Sequence, residues 1–281
     1  MGKKLTVLGP GLLGASLGMS VLERGLFESV HVWSRRTETR DKCRTLPWCT
    51  AVHESPEKAI ADAELVVICT PVKIIPNLLE KLSEDFAEGS IVTDVGSTKG
   101  SICKAAQKNL SDKVSFVGSH PMAGSEKTGL EYARADLFEG QACIITPTDE
   151  TDPTATAKLE DFWSQLGMKV GKSSPAEHDR IVAAISHLPH ILASILCEQL
   201  TKSNPKWKSF AGKGLRDTTR VAAGDPNLWR QILEENSTAI CEALKNFRGT
   251  LESFSNALEQ SDFEKIEDSL AKGKTFRDSL G

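Results

Sequence analysis

The chain is expected to fold as an α/β protein, with a doubly wound parallel sheet in its first half and an all-helical second half. Three observations predict this. Short apolar runs rich in β-branched residues recur at 5–8, 30–33, 65–69, 91–93, 114–117 and 142–146. Such unbroken runs suit strands that are covered on both faces. Helical stretches lie between them, as at 14–24 and 74–86, and alternation of strand with helix builds a parallel sheet. After Thr146 the texture changes. The segment 147–153 is polar and turn-rich, and Asp152-Pro153 is a helix start. One more short strand is expected at Lys169-Val170. From Ser174 onward apolar residues keep the 3.6-residue period, first at Ile181, Ala184, Ile185, Leu188, Leu192, Ile195 and Leu196. A second such series runs through Ile240, Leu244, Phe247, Leu251, Phe254 and Leu258. The expected domains are therefore 1–150 and 151–281. So many apolar positions in a modest helical half imply burial against a second copy of the chain.

Bulk properties narrow the classes. At 281 residues the chain can bury two cores but not three. Its net charge of -4, with both signs interspersed, argues against nucleic acid or a membrane surface as partner. Attraction for anions must then come from local arginines. The seven cysteines are scattered, with no C-x-x-C pair, which fits reduced thiols in the cytoplasm. The N-terminus runs straight into a strand without a leader pattern, and no apolar run is expected to approach membrane-spanning length.

The first strand leads into Gly9-Pro10-Gly11-Leu12-Leu13-Gly14, a G-x-G-x-x-G that opens a helix. Gly9 permits the tight turn, Gly11 lets backbone approach a pyrophosphate, and Gly14 lets helix pack on strand. The amides of Leu12 and Leu13 then lie at a helix N-terminus, where an anion is favoured. This context makes the first half a Rossmann-type dinucleotide domain. The second strand ends at Trp33-Ser34-Arg35-Arg36-Thr37. An NAD site usually places a carboxylate there for the ribose hydroxyls. Here two guanidiniums and two hydroxyls stand ready for a 2′-phosphate instead. The expected cofactor is NADP, with NAD as the alternative. Glu38, the nearest acid, comes too late to replace the missing carboxylate.

Cys69-Thr70-Pro71 follows one further strand and Asp94-Val95-Gly96-Ser97-Thr98-Lys99 follows another. In a doubly wound sheet both fall at the carboxyl edge, where ligands bind. The next strand ends in Gly118-Ser119-His120-Pro121, which puts a histidine on that edge. These segments, DVGSTK, GSHPMAGSEKTG, EHDRIVAAISHLPH and GLRDTTRVAAGDPNLW, resemble the prephenate dehydrogenase family in order and spacing, over nearly the whole chain.

That resemblance implies an oxidoreductase of tyrosine biosynthesis that acts on prephenate, a substrate with a ring hydroxyl and two carboxylates. His120 matches the base that takes the hydroxyl proton, a task that suits a neutral imidazole. Ser97 matches the serine that supports the hydroxyl and the nicotinamide. Arg220 matches the arginine that binds a substrate carboxylate, where a bidentate pair gives position as well as charge. Glu126 matches an acid of the pocket mouth, and His178, Asp179, Ser186 and His190 match further pocket residues. Trp229 matches a residue that a partner subunit inserts beside the site, which implies a homodimer; a helix-core tryptophan is the plainer reading. Arg216, one turn before Arg220, reads as a surface residue. A metal site among His178, Asp179, His187 and His190 is not expected, because the set has no geometry for a tetrahedral ion.

Arogenate is the alternative substrate, alone or together with prephenate. His190 resembles prephenate-type and dual-specificity members, whereas NADP use in the family often accompanies arogenate. No regulatory domain or fused mutase is expected, so inhibition by tyrosine would have to be competitive. Two other classes remain: another dehydrogenase on a similar plan, which would want a lysine on the long helix of its second domain, and a non-catalytic NADP-binding sensor. A sensor would have no reason to keep His120, Ser97 and Arg220 together.

Overall fold

The computed structural model describes residues 2–280 except 125, 126 and 128. The first strands and helices are β1 (Gly2–Leu8), α1 (Leu12–Glu23), β2 (Phe27–Trp33), α2 (Thr37–Cys43), β3 (Ala51–His53), α3 (Pro56–Ile60) and β4 (Leu65–Ile68). They continue with α4 (Ile75–Lys81), β5 (Ile91–Asp94), α5 (Gly100–Asn109) and β6 (Ser115–Phe116). The six strands form one parallel sheet in the order β3-β2-β1-β4-β5-β6. Order reverses at β1, so a crevice opens beside the carboxyl ends of β1 and β4.

Alternate residues of the central strands feed two cores. Leu5, Val7, Val30, Val32, Leu65 and Val67 face α1, while Leu8, Val66, Ile68 and Val92 face α3, α4 and α5. Every one of these is buried, which is why the strands read as unbroken apolar runs. The strand β3 was not among the expected runs. It is three half-buried residues at the sheet edge, too short and too exposed for an apolar signature.

The run expected as one strand at 114–117 is divided. Only Ser115 and Phe116 pair with β5. The chain then enters β7 (Gly118–Pro121), which pairs antiparallel with β8 (Ala142–Thr146). Side chains of β5 cause the departure by taking over the ladder. Thr93 Oγ1 donates to Val117 O at 2.6 Å, and Asp94 Oδ1 accepts from Ser119 N at 3.3 Å. After β8 come α6 (Pro153–Gln165) and β9 (Lys169–Lys172), and β9 completes a three-stranded sheet beside β8. Asp152 caps α6 through Thr154 N at 2.8 Å, as Asp-Pro at a helix start predicts.

The remainder is helical: α7 (Pro175–Val182), a π-turn at Ala183–His187, α8 (Leu188–Thr201), α9 (Lys213–Thr219), α10 (Pro226–Glu235), α11 (Ser237–Glu259) and α12 (Phe263–Ser279). By contacts the chain divides into two compact units, Met1–Asn236 and Ser237–Gly281. Within the first, Ser174 caps α7 through Glu177 N at 3.2 Å. Pro189 cannot donate a backbone bond, and the helical ladder widens to π geometry just before it. Contrary to expectation, the helical run Pro175–Thr201 is long and apolar enough to cross a membrane by length and composition. It carries His178, His187 and His190 as buried residues of the first unit, while Ile185, Ile195 and Leu200 on it are exposed.

Candidate active site

The glycine loop has the shape a dinucleotide needs. Gly9 sits at φ +99°, and a Cβ there would lie 2.9 Å from Cys69 O. A Cβ on Gly14 would meet Gly9 O at 2.5 Å and Val7 Cγ1 at 2.9 Å, so α1 can approach β1 only with glycine at that point. Gly11 is the opposite case, since a Cβ there would meet nothing within 4 Å. That open cradle fronts the first turn of α1, where Leu12 and Leu13 begin a helix whose leading amides lack intrahelical partners. The buried Thr70 Oγ1, at the end of β4, has no partner among the described residues and so has capacity for a ligand. Cys69 and Pro71 flank it, and Cys69 N donates to Leu8 O at 2.7 Å, which joins the ends of β1 and β4.

The β2 end joins the same crevice, for Gly9 N donates to Trp33 O at 2.9 Å. Ser34 is buried and its Oγ accepts from Arg36 N at 3.3 Å, whereas Arg35, Arg36 and Thr37 are exposed. Arg40, to which the sequence reading gave no role, holds this loop from behind. Its Nη1 donates to Ser34 O at 2.7 Å, and its Nη2 donates to Thr37 Oγ1 at 3.1 Å. These residues fit NAD(P), and the exposed guanidiniums have the chemistry for a phosphate.

His120 lies on β7 with its ring buried, and His178 reaches it from α7, 58 residues later in the chain. His120 Nδ1 and His178 Nε2 are 2.9 Å apart, with the rings tilted by 59°. His178 Nδ1 in turn lies 2.9 Å from Asp179 Oδ1. The Asp179 carboxylate also accepts from Lys99 N at 2.8 Å and Gly100 N at 2.9 Å, the first amides of α5. Burial alone would raise its pKa, but the hydrogen bonds from His178 and those two amides outweigh it and hold the carboxyl below its usual range. Burial, followed by the nearby His178, Lys99 and His187, pushes His120 well below the ordinary histidine pKa. His178 is lowered by burial against the opposing pull of Asp179.

These assignments fix the protons. An ionised Asp179 only accepts, so His178 carries its proton on Nδ1. His178 Nε2 then accepts from His120 Nδ1, and the lone pair of His120 is left on Nε2. The order carboxylate–imidazole–imidazole makes His120 a neutral acceptor held in one tautomer.

Behind His120 is a fully buried ion pair. Lys99 Nζ donates to Asp94 Oδ2 and, at 2.8 Å, to Ser119 O. Asp94 Oδ2 also accepts from Gly96 N at 2.7 Å. The pair binds the Ser97 turn to the strand that carries His120. Ser97 is half-buried on that turn, next to buried Thr98, whose hydroxyl has no partner among the described residues. Trp163 Nε1 donates to Ser119 Oγ at 3.0 Å and closes the base of this network.

The second wall comes from α8 and α10. His190 stacks on Trp229, with ring centroids 3.5 Å apart and planes 9° from parallel. The resemblance implied delivery of this tryptophan from a partner subunit; here it meets His190 of its own chain. Asp225 caps α10 through Asn227 N, and Trp229 in the first turn is thereby turned toward α8. Gly224 permits the approach, because a Cβ there would lie 2.5 Å from Trp229 Nε1. His190 Nδ1 is buried with no partner among the described residues. Ser186 is half-buried in the π-turn, and Arg220 is exposed at the start of a 3-10 turn, Arg220–Ala223, that packs against α8. Glu126 lies outside the described residues. His187, weighed in the sequence only as a metal ligand, is buried in the same cluster with Trp229 against its ring edge. Among the described residues no group of three or more His, Cys, Asp or Glu could hold a metal ion.

Residues 17–172 match the model of the prephenate dehydrogenase nucleotide-binding domain, and 174–272 match that of its dimerization domain. The chain is 31% identical to a cyclohexadienyl dehydrogenase of Zymomonas mobilis, over 92% of this chain and 90% of that one. It is 36% identical to a prephenate dehydrogenase of Bacillus subtilis, over 79% of this chain and 61% of that one. Among solved structures, prephenate dehydrogenase from A. aeolicus in complex with hydroxyphenyl propionate and NAD+ superimposes with a TM-score of 0.93 at 29% identity, covering 100% and 99% of the two chains. Synechocystis arogenate dehydrogenase gives 0.86 at 30% identity, covering 99% and 100%. With both family models matched in order along an NAD(P)-dependent oxidoreductase fold, this chain belongs to the prephenate dehydrogenase family.

Proposed function

We propose that this chain converts prephenate to 4-hydroxyphenylpyruvate by oxidative decarboxylation, with NADP preferred over NAD, and works as a cytoplasmic homodimer. One observation supports the reading: the relay from Asp179 through His178 leaves His120 Nε2 as a neutral acceptor. His120 takes the proton of the ring hydroxyl while hydride leaves the same carbon. The nicotinamide, when bound, supplies the hydride acceptor. Loss of the ring carboxylate as carbon dioxide returns its bonding electrons to the ring, which becomes aromatic. Asp179 and His178 hold the tautomer and spread the charge that His120 gains. Ser97 orients the hydroxyl, Arg220 binds a substrate carboxylate, and Glu126 joins the polar rim. Ser186 and His190 offer polar contacts to the side chain of the substrate, over the floor made by Trp229.

The preference for NADP rests on Ser34, Arg35, Arg36 and Thr37 at the end of β2, where no acid stands before Glu38. Self-association is supported by the match to a dimerization domain and by exposed apolar residues in both units: Ile185, Ile195 and Leu200 in the first, Leu251, Phe263 and Phe276 in the second. Seven free cysteines, with no disulfide among the described residues, accord with a reducing compartment. Arogenate, alone or together with prephenate, is the second reading, favoured by the likeness to Synechocystis arogenate dehydrogenase.

The test is a four-way assay of purified protein with prephenate or arogenate and NAD or NADP, followed by nicotinamide absorbance. Turnover of prephenate, faster with NADP at subsaturating cofactor, is the expected result. Turnover of arogenate alone would replace the substrate, and turnover of neither would overturn the reaction.

A further inference from the structure

We infer that Asn236 is a positioning residue for this reaction: its side-chain amide holds His187 neutral, with the proton on Nε2, and so keeps a second imidazolium away from His120. The inference rests on the reading of His120 as the base. Asn236 caps the C-terminus of α10 and is 5% exposed. Its Nδ2 lies 2.7 Å from the backbone oxygen of Asp179 and 3.2 Å from His187 Nδ1.

The first contact decides the second. A backbone carbonyl oxygen can only accept, so the atom that faces it is the amide nitrogen, whichever way the amide is drawn. The two hydrogens of that nitrogen serve both neighbours. His187 Nδ1 must accept one of them, carries no proton, and leaves its own proton on Nε2. Protonation of His187 would set one N–H against another. Asn236 therefore opposes the imidazolium directly and, through Asp179 O, ties the end of α10 to the helix that carries the relay.

The surroundings make that control matter. His187 interacts with His120 from β7, His178 and Asp179 from α7, and His190 from α8, and it also meets Trp229 of α10 and Asn236 at the end of that helix. Among the described residues, Asp179 is the charged neighbour that favours a proton on it; burial opposes this first, then His178 and His190, and its pKa falls to about 4. A charge on His187 would weaken His120 as a base, since like charges so placed disfavour one another.

The test uses the full chain with 15N-labelled histidine, together with kcat/KM against pH for wild type and Asn236→Ala. In wild type, NMR should show His187 as the Nε2–H tautomer from pH 8 to about 5, a range set by its low pKa. In Asn236→Ala, His187 should gain a proton on Nδ1 more readily. The acid limb of kcat/KM should then move up by about one pH unit, with the alkaline plateau kept within about ten-fold. A wild-type spectrum with the proton on Nδ1 would overturn the inference, as would a lowered plateau with an unmoved limb, the mark of a purely structural role. If Asn236→Ala does not fold, Asn236→Asp, which trades the donor for an acceptor, must move the limb the same way. Failure of wild type to turn over either substrate would count against the proposed reaction alone, because the tautomer is read without substrate.

Discussion

At the scale of single residues, the base is defined by what lies behind it. His120 was legible from its motif and its place at the end of a strand, but its tautomer was not, because it depends on a ring 58 positions away and on amides at the start of α5. His187 and Asn236, 49 positions apart, were invisible as a pair for the same reason. Arg40 escaped notice because it holds the cofactor loop mainly through the backbone oxygens of Ser34 and Arg35, which leave no trace in residue type. Two predictions belong here. Asp179→Asn removes the only obligate acceptor of the relay and frees His178 to invert. Turnover should fall by roughly 10²–10⁴-fold, with cofactor affinity unchanged when measured by fluorescence titration. Replacing Arg35 and Arg36 by alanine should raise KM for NADP by roughly 10- to 100-fold, the value of one or two charge-assisted hydrogen bonds. KM for NAD should stay within about two-fold; an equal rise for both cofactors would mean that the arginines serve the loop and not the 2′-phosphate.

At the scale of elements, the strand-and-helix order was readable because both faces of the parallel sheet are covered, and the glycine loop because steric exclusion leaves a signature in residue type. The division of 114–117 into two sheets was not readable. It comes from Thr93 and Asp94, which take over backbone bonds of the following strand, and β-branched content says nothing of that. Lys99 was quoted within its motif without a role, since a lysine on paper is a surface residue until a buried partner is found. With both side chains 0% exposed, removal of one partner strands a charge in the core. Lys99→Met is expected to cost about 3–5 kcal/mol in denaturant unfolding, and to slow turnover by releasing the Ser97 turn and Ser119 together. Stability within 1 kcal/mol of wild type, about the worth of a surface pair, would show that Asp94 finds water or another donor.

At the scale of the whole molecule, buried neutral histidines link stability to pH. His187 falls to about 4 in the folded chain from an ordinary value of 6.5, and His120 and His178 shift in the same direction. Between those two values the unfolded chain binds more protons than the folded one, so stability rises with pH through this window. The contribution is fully present above about pH 6.5 and is lost as pH falls toward 4, on the order of 3 kcal/mol for His187. A Tm that stays constant from pH 7 to 4.5 would contradict it. The two-part plan of nucleotide domain and helical remainder was legible from texture alone, but the closure of the site from β7, α7, α8 and α10 is tertiary, and no local pattern encodes it. The chemistry rests on His120 as the acceptor of the hydroxyl proton, and His120→Asn tests it most directly, with kcat/KM and NADP binding measured side by side. Turnover should drop by about 10³-fold or more while NADP binds as before; a variant that keeps a tenth of the wild-type rate would place the base elsewhere.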